Sequence, residues 1–273
     1  MSRLTNFRSF CVLCMLVVGL LWHALPAHAS IDPYGHVTFG HKPSVSPSLI
    51  MEIFFQDYFG NEGVNAYVGR YNSTFGEPTW AANSPYQGAT LGDHFFCIEA
   101  QVFVGNNYKT YEIFDLANVP KPAGPDGLPM AEDKANLIRE LWGRFFDQTE
   151  TNIGAAAFQL AIWEIVYEDY VADVEDRNSN WNLRSGNFRT DSATNDANAA
   201  VTQALTWLRL LDGDGPRAHL LGLSNLNNQD FVIQVHPIPE PTSLAIWSLI
   251  GLSFVGAGMR RRRRLRAAQP NGR

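Results

Sequence analysis

The chain has 273 residues, with 21 Lys and Arg against 27 Asp and Glu and a formal net charge of −6. Nine of the basic residues are arginines at the two ends (Arg3, Arg8, Arg260, Arg261, Arg262, Arg263, Arg264, Arg266 and Arg273), so the stretch between is more acidic still. That excludes a nucleic-acid binder, whose phosphate partner calls for a basic surface. About 210 residues remain between the ends, enough for one good hydrophobic core or two small lobes sharing one.

Residues 1–29 carry Arg3 and Arg8, an apolar run over 10–21 and the small-x-small triplet Ala27-His28-Ala29. This is the layout of a cleaved secretory signal peptide, and its apolar run is shorter than the ~20 residues of a membrane span. Cys11 and Cys14 lie inside that run and leave with it, so Cys97 is the sole cysteine of the mature part. In an oxidising compartment a lone cysteine is a free reactive group, an intermolecular link or part of another crosslink.

Residues 49–58, 64–71 and 93–105 are short, aromatic or β-branched and separated by Gly, Asn and Pro, and they predict strands. In the third, alternation sets Ile98, Ala100, Val102 and Val104 on one face and Phe95, Cys97, Glu99, Gln101 and Phe103 on the other. Residues 108–116 predict a strand that pairs with it across a turn at Gly105-Asn106-Asn107. The period then changes. Residues 131–146 place Leu137, Ile138, Leu141, Trp142, Phe145 and Phe146 on a helical stripe. Thr151-Asn152 can cap a second helix from Ile153 to about Tyr170, apolar nearly all round, that holds Gln159 in its middle. A buried amide without partners costs ~1–3 kcal/mol, so Gln159 has either partners or another chemical fate. Residues 176–196 read as an exposed polar loop, 197–211 as a third helix and 229–235 as a closing strand. Strands, then helices, then a strand predict an α+β fold: a sandwich-like β lobe with a helical subdomain over residues 30–237.

Residues 238–266 hold Pro239-Glu240-Pro241, an apolar stretch over 244–259 and the cluster Arg260, Arg261, Arg262, Arg263 and Arg264. Sixteen to eighteen apolar residues reach roughly 24–27 Å as a helix, enough for a thin bilayer, and the arginines would hold the last residues, 267–273, in the cytoplasm. Together these parts resemble the PEP-CTERM sorting signal of Gram-negative envelope proteins. The resemblance implies a membrane-anchored precursor, processing by an exosortase near Pro-Glu-Pro, and a final place at the cell surface or outside, in an exopolysaccharide producer.

A second resemblance rests on Phe96-Cys97-Ile98-Glu99 and on Gln159, Ala161, Ile162 and Trp163. These residues are similar to the aromatic-Cys-aliphatic-acidic strand and the Gln-x-Ala-Ile-Trp helix of bacterial thioester domains, with Glu99 where Asp is commoner and Phe158 in place of the usual Thr or Gln. The resemblance implies that Cys97 attacks the side-chain carbonyl of Gln159, expels ammonia and leaves an internal thioester. Phe96, Glu99, Phe158, Ala161, Ile162 and Trp163 would form the shell that keeps water out. Loss of ammonia would also remove the amide donors that the apolar helix otherwise has to satisfy. A lysine amine on a target would take the acyl group, giving a single-use adhesin and no enzyme.

Other chemistry is weaker. His94, the histidine nearest Cys97, is three residues away and on the opposite strand face. Asp212 and Asp214 lack the remaining ligands of a calcium loop, and no cofactor or metal is expected. Trp80 and Trp181, read as loop residues, would line the sugar-binding surface of a second candidate, a non-covalent matrix or polysaccharide-binding module in which Cys97 and Gln159 are structural.

Overall fold

The computed structural model describes residues 32–55, 63–99, 109–120, 128–168, 179–236, 247–250 and 252. From Pro33 onward the chain forms one compact unit. Its strands are β1 (Gly35–Thr38), β2 (Ser44–Phe55), β3 (Val64–Asn72), β4 (Thr79–Trp80), β5 (Thr90–Cys97), β6 (Thr110–Asp115), β7 (Phe188–Thr190), β8 (Leu220–Asn225) and β9 (Asn228–His236). All nine join one antiparallel sheet in the order β4-β1-β6-β8-β9-β5-β3-β2-β7. The helices are α1 (Ala131–Phe145), α2 (Asn152–Tyr167) and α3 (Asn195–Leu208).

The sheet is rolled. Four strand spacings separate β1 from β5, which is roughly 19 Å in a flat sheet. Yet the ring of Phe39, just after β1, lies 5.4 Å from that of Phe95 in β5 and 4.9 Å from that of Phe75, just after β3. A bridge between Phe39 and Phe75 closes this curl. Inside it, Phe39, Phe75, Phe95, Tyr71, Tyr111 and Phe231 stack on one another. Phe96 has the opposite parity on β5 and packs against the helices, 4.6 Å from Phe158 of α2 and 5.7 Å from Trp142 of α1.

This architecture corrects the expected one. A single large antiparallel sheet with few helices replaces the α+β arrangement of a sandwich-like lobe and a separate helical subdomain. The helices share the sheet's core because each is an apolar face with nothing else to bury it. The strand at 110–115 does not pair with β5. It lies between β1 and β8, because the last hairpin, β8–β9, inserts between β6 and β5. The segment read as an exposed polar loop contributes β7 and the buried side chains of Trp181, Leu183, Phe188 and Thr190. Its polar composition hid three apolar anchors.

The expected C-terminal transmembrane helix is also corrected. Among the described residues no helix is long and apolar enough to cross a membrane. Residues 247–250 and 252 are helical. The remainder of that segment, with Pro239, Glu240, Pro241, Arg260, Arg261, Arg262, Arg263 and Arg264, lies outside the described residues, as do residues 1–29, read from the sequence as a signal peptide.

Candidate functional site

α2 begins where the sequence says it should. The Thr151 hydroxyl accepts from the Gly154 amide at 3.0 Å, an N-cap bond that satisfies one of the helix's orphan donors. Gly154 is required: a Cβ there would collide with the Gln148 carbonyl oxygen. Every residue from Gly154 to Tyr167 is buried, because β2, β3, α1 and α3 surround the helix.

Gln159 therefore sits in the core, fully buried, at the place where the sheet splits. β3 and β5 pair only at Tyr71–Phe95 and Asn72–His94, so among the described residues Cys97 has β9 on one side and no strand on its β3 side. The Gln159 carboxamide fills that gap. Its Oε1 accepts from the Cys97 amide at 3.0 Å, and its Nε2 donates to the Cys97 carbonyl at 2.8 Å. The side-chain amide thus stands in for the peptide of a missing neighbouring strand, and it pins the acyl carbon Cδ against the cysteine that carries the thiol. These two bonds satisfy the amide's oxygen and one of its two N–H donors.

Cys97 is fully buried and ends β5. Its Sγ donates to the Glu99 carbonyl oxygen at 2.8 Å. Burial pushes the thiol's pKa well above its ordinary value, the Trp163 indole and that bond to Glu99 pull it down, and the charges of Glu99 and Asp230 push it up again. At rest the sulfur is a protonated thiol.

A buried polar network surrounds it. The Gln229 side chain donates to the Glu99 carbonyl at 2.8 Å and accepts from the Tyr71 hydroxyl at 3.1 Å. The Glu99 carboxylate accepts from the Asp230 amide at 3.2 Å, while the Asp230 carboxylate accepts from Asn225 N at 3.0 Å. Burial, then the nearby Asp230, raises the Glu99 pKa to about 8, opposed by that amide bond. Burial likewise raises Tyr71 well above its ordinary value.

The structure thus brings together Cys97, Gln159, Glu99 and Trp163. Phe96 and Phe158 stack as a wall on the helical side. Ala161 and Ile162 are buried in α2 without a recorded bond to Cys97. Sequence reasoning missed Tyr71, Gln229 and Asp230. The last two were visible only as a polar pair opening an otherwise apolar strand, and Tyr71 as one aromatic among many.

The two tryptophans of the second candidate part company. Trp181 is buried and is no surface platform. Trp80 is half-buried, its indole N–H donating to the Ala89 carbonyl at 3.2 Å, and with His36 and Glu112 it lines a surface pocket of about 270 Å³. Among the described residues no cluster of His, Cys, Asp or Glu is arranged to hold a metal ion. No protein-family model matches the chain, and no curated protein or solved structure matches it either.

Proposed function

We propose that this chain is an exported, single-use covalent adhesin: Cys97 and Gln159 close an internal thioester, and an amine on a target surface opens it to form a permanent amide. Turnover has no part in it. The observation that carries this reading is the double hydrogen bond between the Gln159 carboxamide and the backbone of Cys97. It holds Cδ beside the only cysteine outside the signal segment, and the Cys97 N–H on Oε1 polarises the carbonyl to be attacked. Two aromatic walls keep water from the product: the Phe39, Phe95, Tyr71 and Phe231 cluster on one side, and Phe96, Phe158 and Trp142 on the other. The protonated resting thiol makes ionisation transient.

The thioester's test is the mass of the intact purified protein. It is lighter than the processed sequence by one ammonia, gains one methylamine on incubation with that amine, and only then shows an alkylatable thiol. Full mass with Cys97 alkylatable from the start overturns the reading. Export and sorting rest on residues 1–29 and on the Pro239-Glu240-Pro241 and arginine tail, through secretion and an exosortase that releases the protein to the surface or matrix. Replacing Pro239, Glu240 and Pro241 with alanine should leave an unprocessed precursor in the producing cell. Normal processing of that variant would remove the sorting half.

A second reading has its own support. A non-covalent polysaccharide-binding module would use Gln159 as a structural staple and Trp80, His36 and Glu112 as a sugar platform. Binding to isolated exopolysaccharide that survives Cys97→Ala and is lost in Trp80→Ala favours it.

A further inference from the structure

Trp163 is one helical turn beyond Gln159 on α2, on the same side of the helix. Its ring is held by Phe55 at 6.0 Å and 89° and by Phe188 at 5.6 Å and 61°. The indole Nε1 is fully buried, and among the described residues no acceptor meets it with normal hydrogen-bond geometry. A buried donor in that position is destabilising unless something accepts it during function.

The residue one turn back, Gln159, is bonded to the Cys97 backbone, and the indole favours ionisation of the Cys97 sulfur. A neutral thiol that already donates to Glu99 O is a weak acceptor, so the indole gains little at rest. An anionic sulfur is a strong one. Among the described residues, the other side chains acting on that sulfur, Glu99 and Asp230, oppose its ionisation, and none of the groups acting on it is a cation. Tyr71 and Tyr111 stand near it as neutral phenols. The indole is therefore the side chain placed to offset burial when charge develops.

We propose that the Trp163 indole N–H is the donor that receives the Cys97 sulfur whenever it carries negative charge: as attacking group when the thioester closes, and as leaving group when an amine opens it. This rests on the thioester reading above. In closure the Sγ–Cδ bond forms, the Cδ–Nε2 bond breaks, and the thiol proton departs on nitrogen as ammonia. In capture the amine nitrogen bonds to Cδ, the Cδ–Sγ bond breaks, and a proton of the amine passes to sulfur. Sulfur bears the transient charge in both, so one preorganised donor serves both steps.

The test compares wild type with Trp163→Phe, which keeps an aromatic ring and loses the N–H. It uses a further sample in which benzothienylalanine, isosteric but without the N–H, replaces tryptophan throughout. Methylamine capture is followed by intact mass, and the free thiol of the captured product is then alkylated with iodoacetamide across pH. Capture should slow by about 10- to 100-fold, and the alkylation profile should move to higher pH. If Trp163→Phe does not fold, the benzothienylalanine protein gives the same two readouts. Wild-type ammonia loss with an unchanged capture rate overturns the inference and leaves the adhesin reading standing, as does slower capture without the pH displacement, which assigns Trp163 to packing alone. Absence of ammonia loss in wild type overturns both together.

Discussion

Two polar side chains are buried in α2, five residues apart, and the protein treats them differently. Gln159 is neutral, and a single peptide unit, Cys97, meets its acceptor and one of its donors. Glu164, nearer the helix end, accepts from the Asn182 amide at 2.8 Å through one oxygen, while its other oxygen has no partner. Burial lifts its pKa to about 8, with the Asn182 amide opposing and Glu168 adding to the rise. A matched amide needs no protonation to remain in the core. A half-matched carboxyl remains there by holding its proton.

Removing the matched group should have the largest effect. Gln159→Leu leaves the Cys97 N–H and C=O buried without partners and should cost about 2–4 kcal/mol in denaturant unfolding. It also abolishes any loss of ammonia. A cost near zero would show that water or a shifted strand replaces the amide, and the contrast would dissolve.

The half-matched group should be visible in the pH dependence of stability. Glu99 and Glu164 ionise near an ordinary 4.5 when unfolded and at about 8 when folded. Between those values the folded state holds protons that the unfolded state has released. Their contribution is therefore complete below the lower value and is lost as pH rises toward about 8. Tm at pH 5 should exceed Tm at pH 8 by roughly 5 °C or more, and the double substitution Glu99→Gln, Glu164→Gln should flatten that difference. A wild-type profile that is already flat would mean these carboxyls are solvated.

The smallest effect should come from the helix cap. Thr151→Ala removes the bond to Gly154 N and should cost ~1 kcal/mol while leaving the Cys97–Gln159 pair intact. Loss of methylamine capture in this variant would tie the site to the whole helix and not to its two buried groups.

The helices and their cap were legible because a 3.6-residue period and a Thr at the N-cap are local signals, and each helix lies within a few residues of its expected range. Four strands, β1, β4, β7 and β8, had no such signal. β1 and β4 span four and two residues, and Gly35 pairs with both Trp80 and Ile113 where a Cβ would strike the Thr79 carbonyl. β8 reads as a mixed run around Gly222. Strand order was beyond reach for a different reason: inserting a C-terminal hairpin between two earlier strands is a non-local choice. At the site, Cys97 and Gln159 stood out as residue types in the wrong surroundings. Their mutual hydrogen bonds did not, since the partner of Gln159 is a peptide group, which every residue carries.

β9 is the fifth strand of nine, and it lies directly beside β5, with Phe231 opposite Cys97. The ribosome delivers the keystone of this arch last. Until residue 236 has emerged, Cys97 lacks Phe231, Gln229 and Asp230, so a nascent or truncated chain presents an ordinary exposed thiol. On the proposed thioester reading, reactivity is tied to completion, and fragments ending before residue 228 should never lose ammonia.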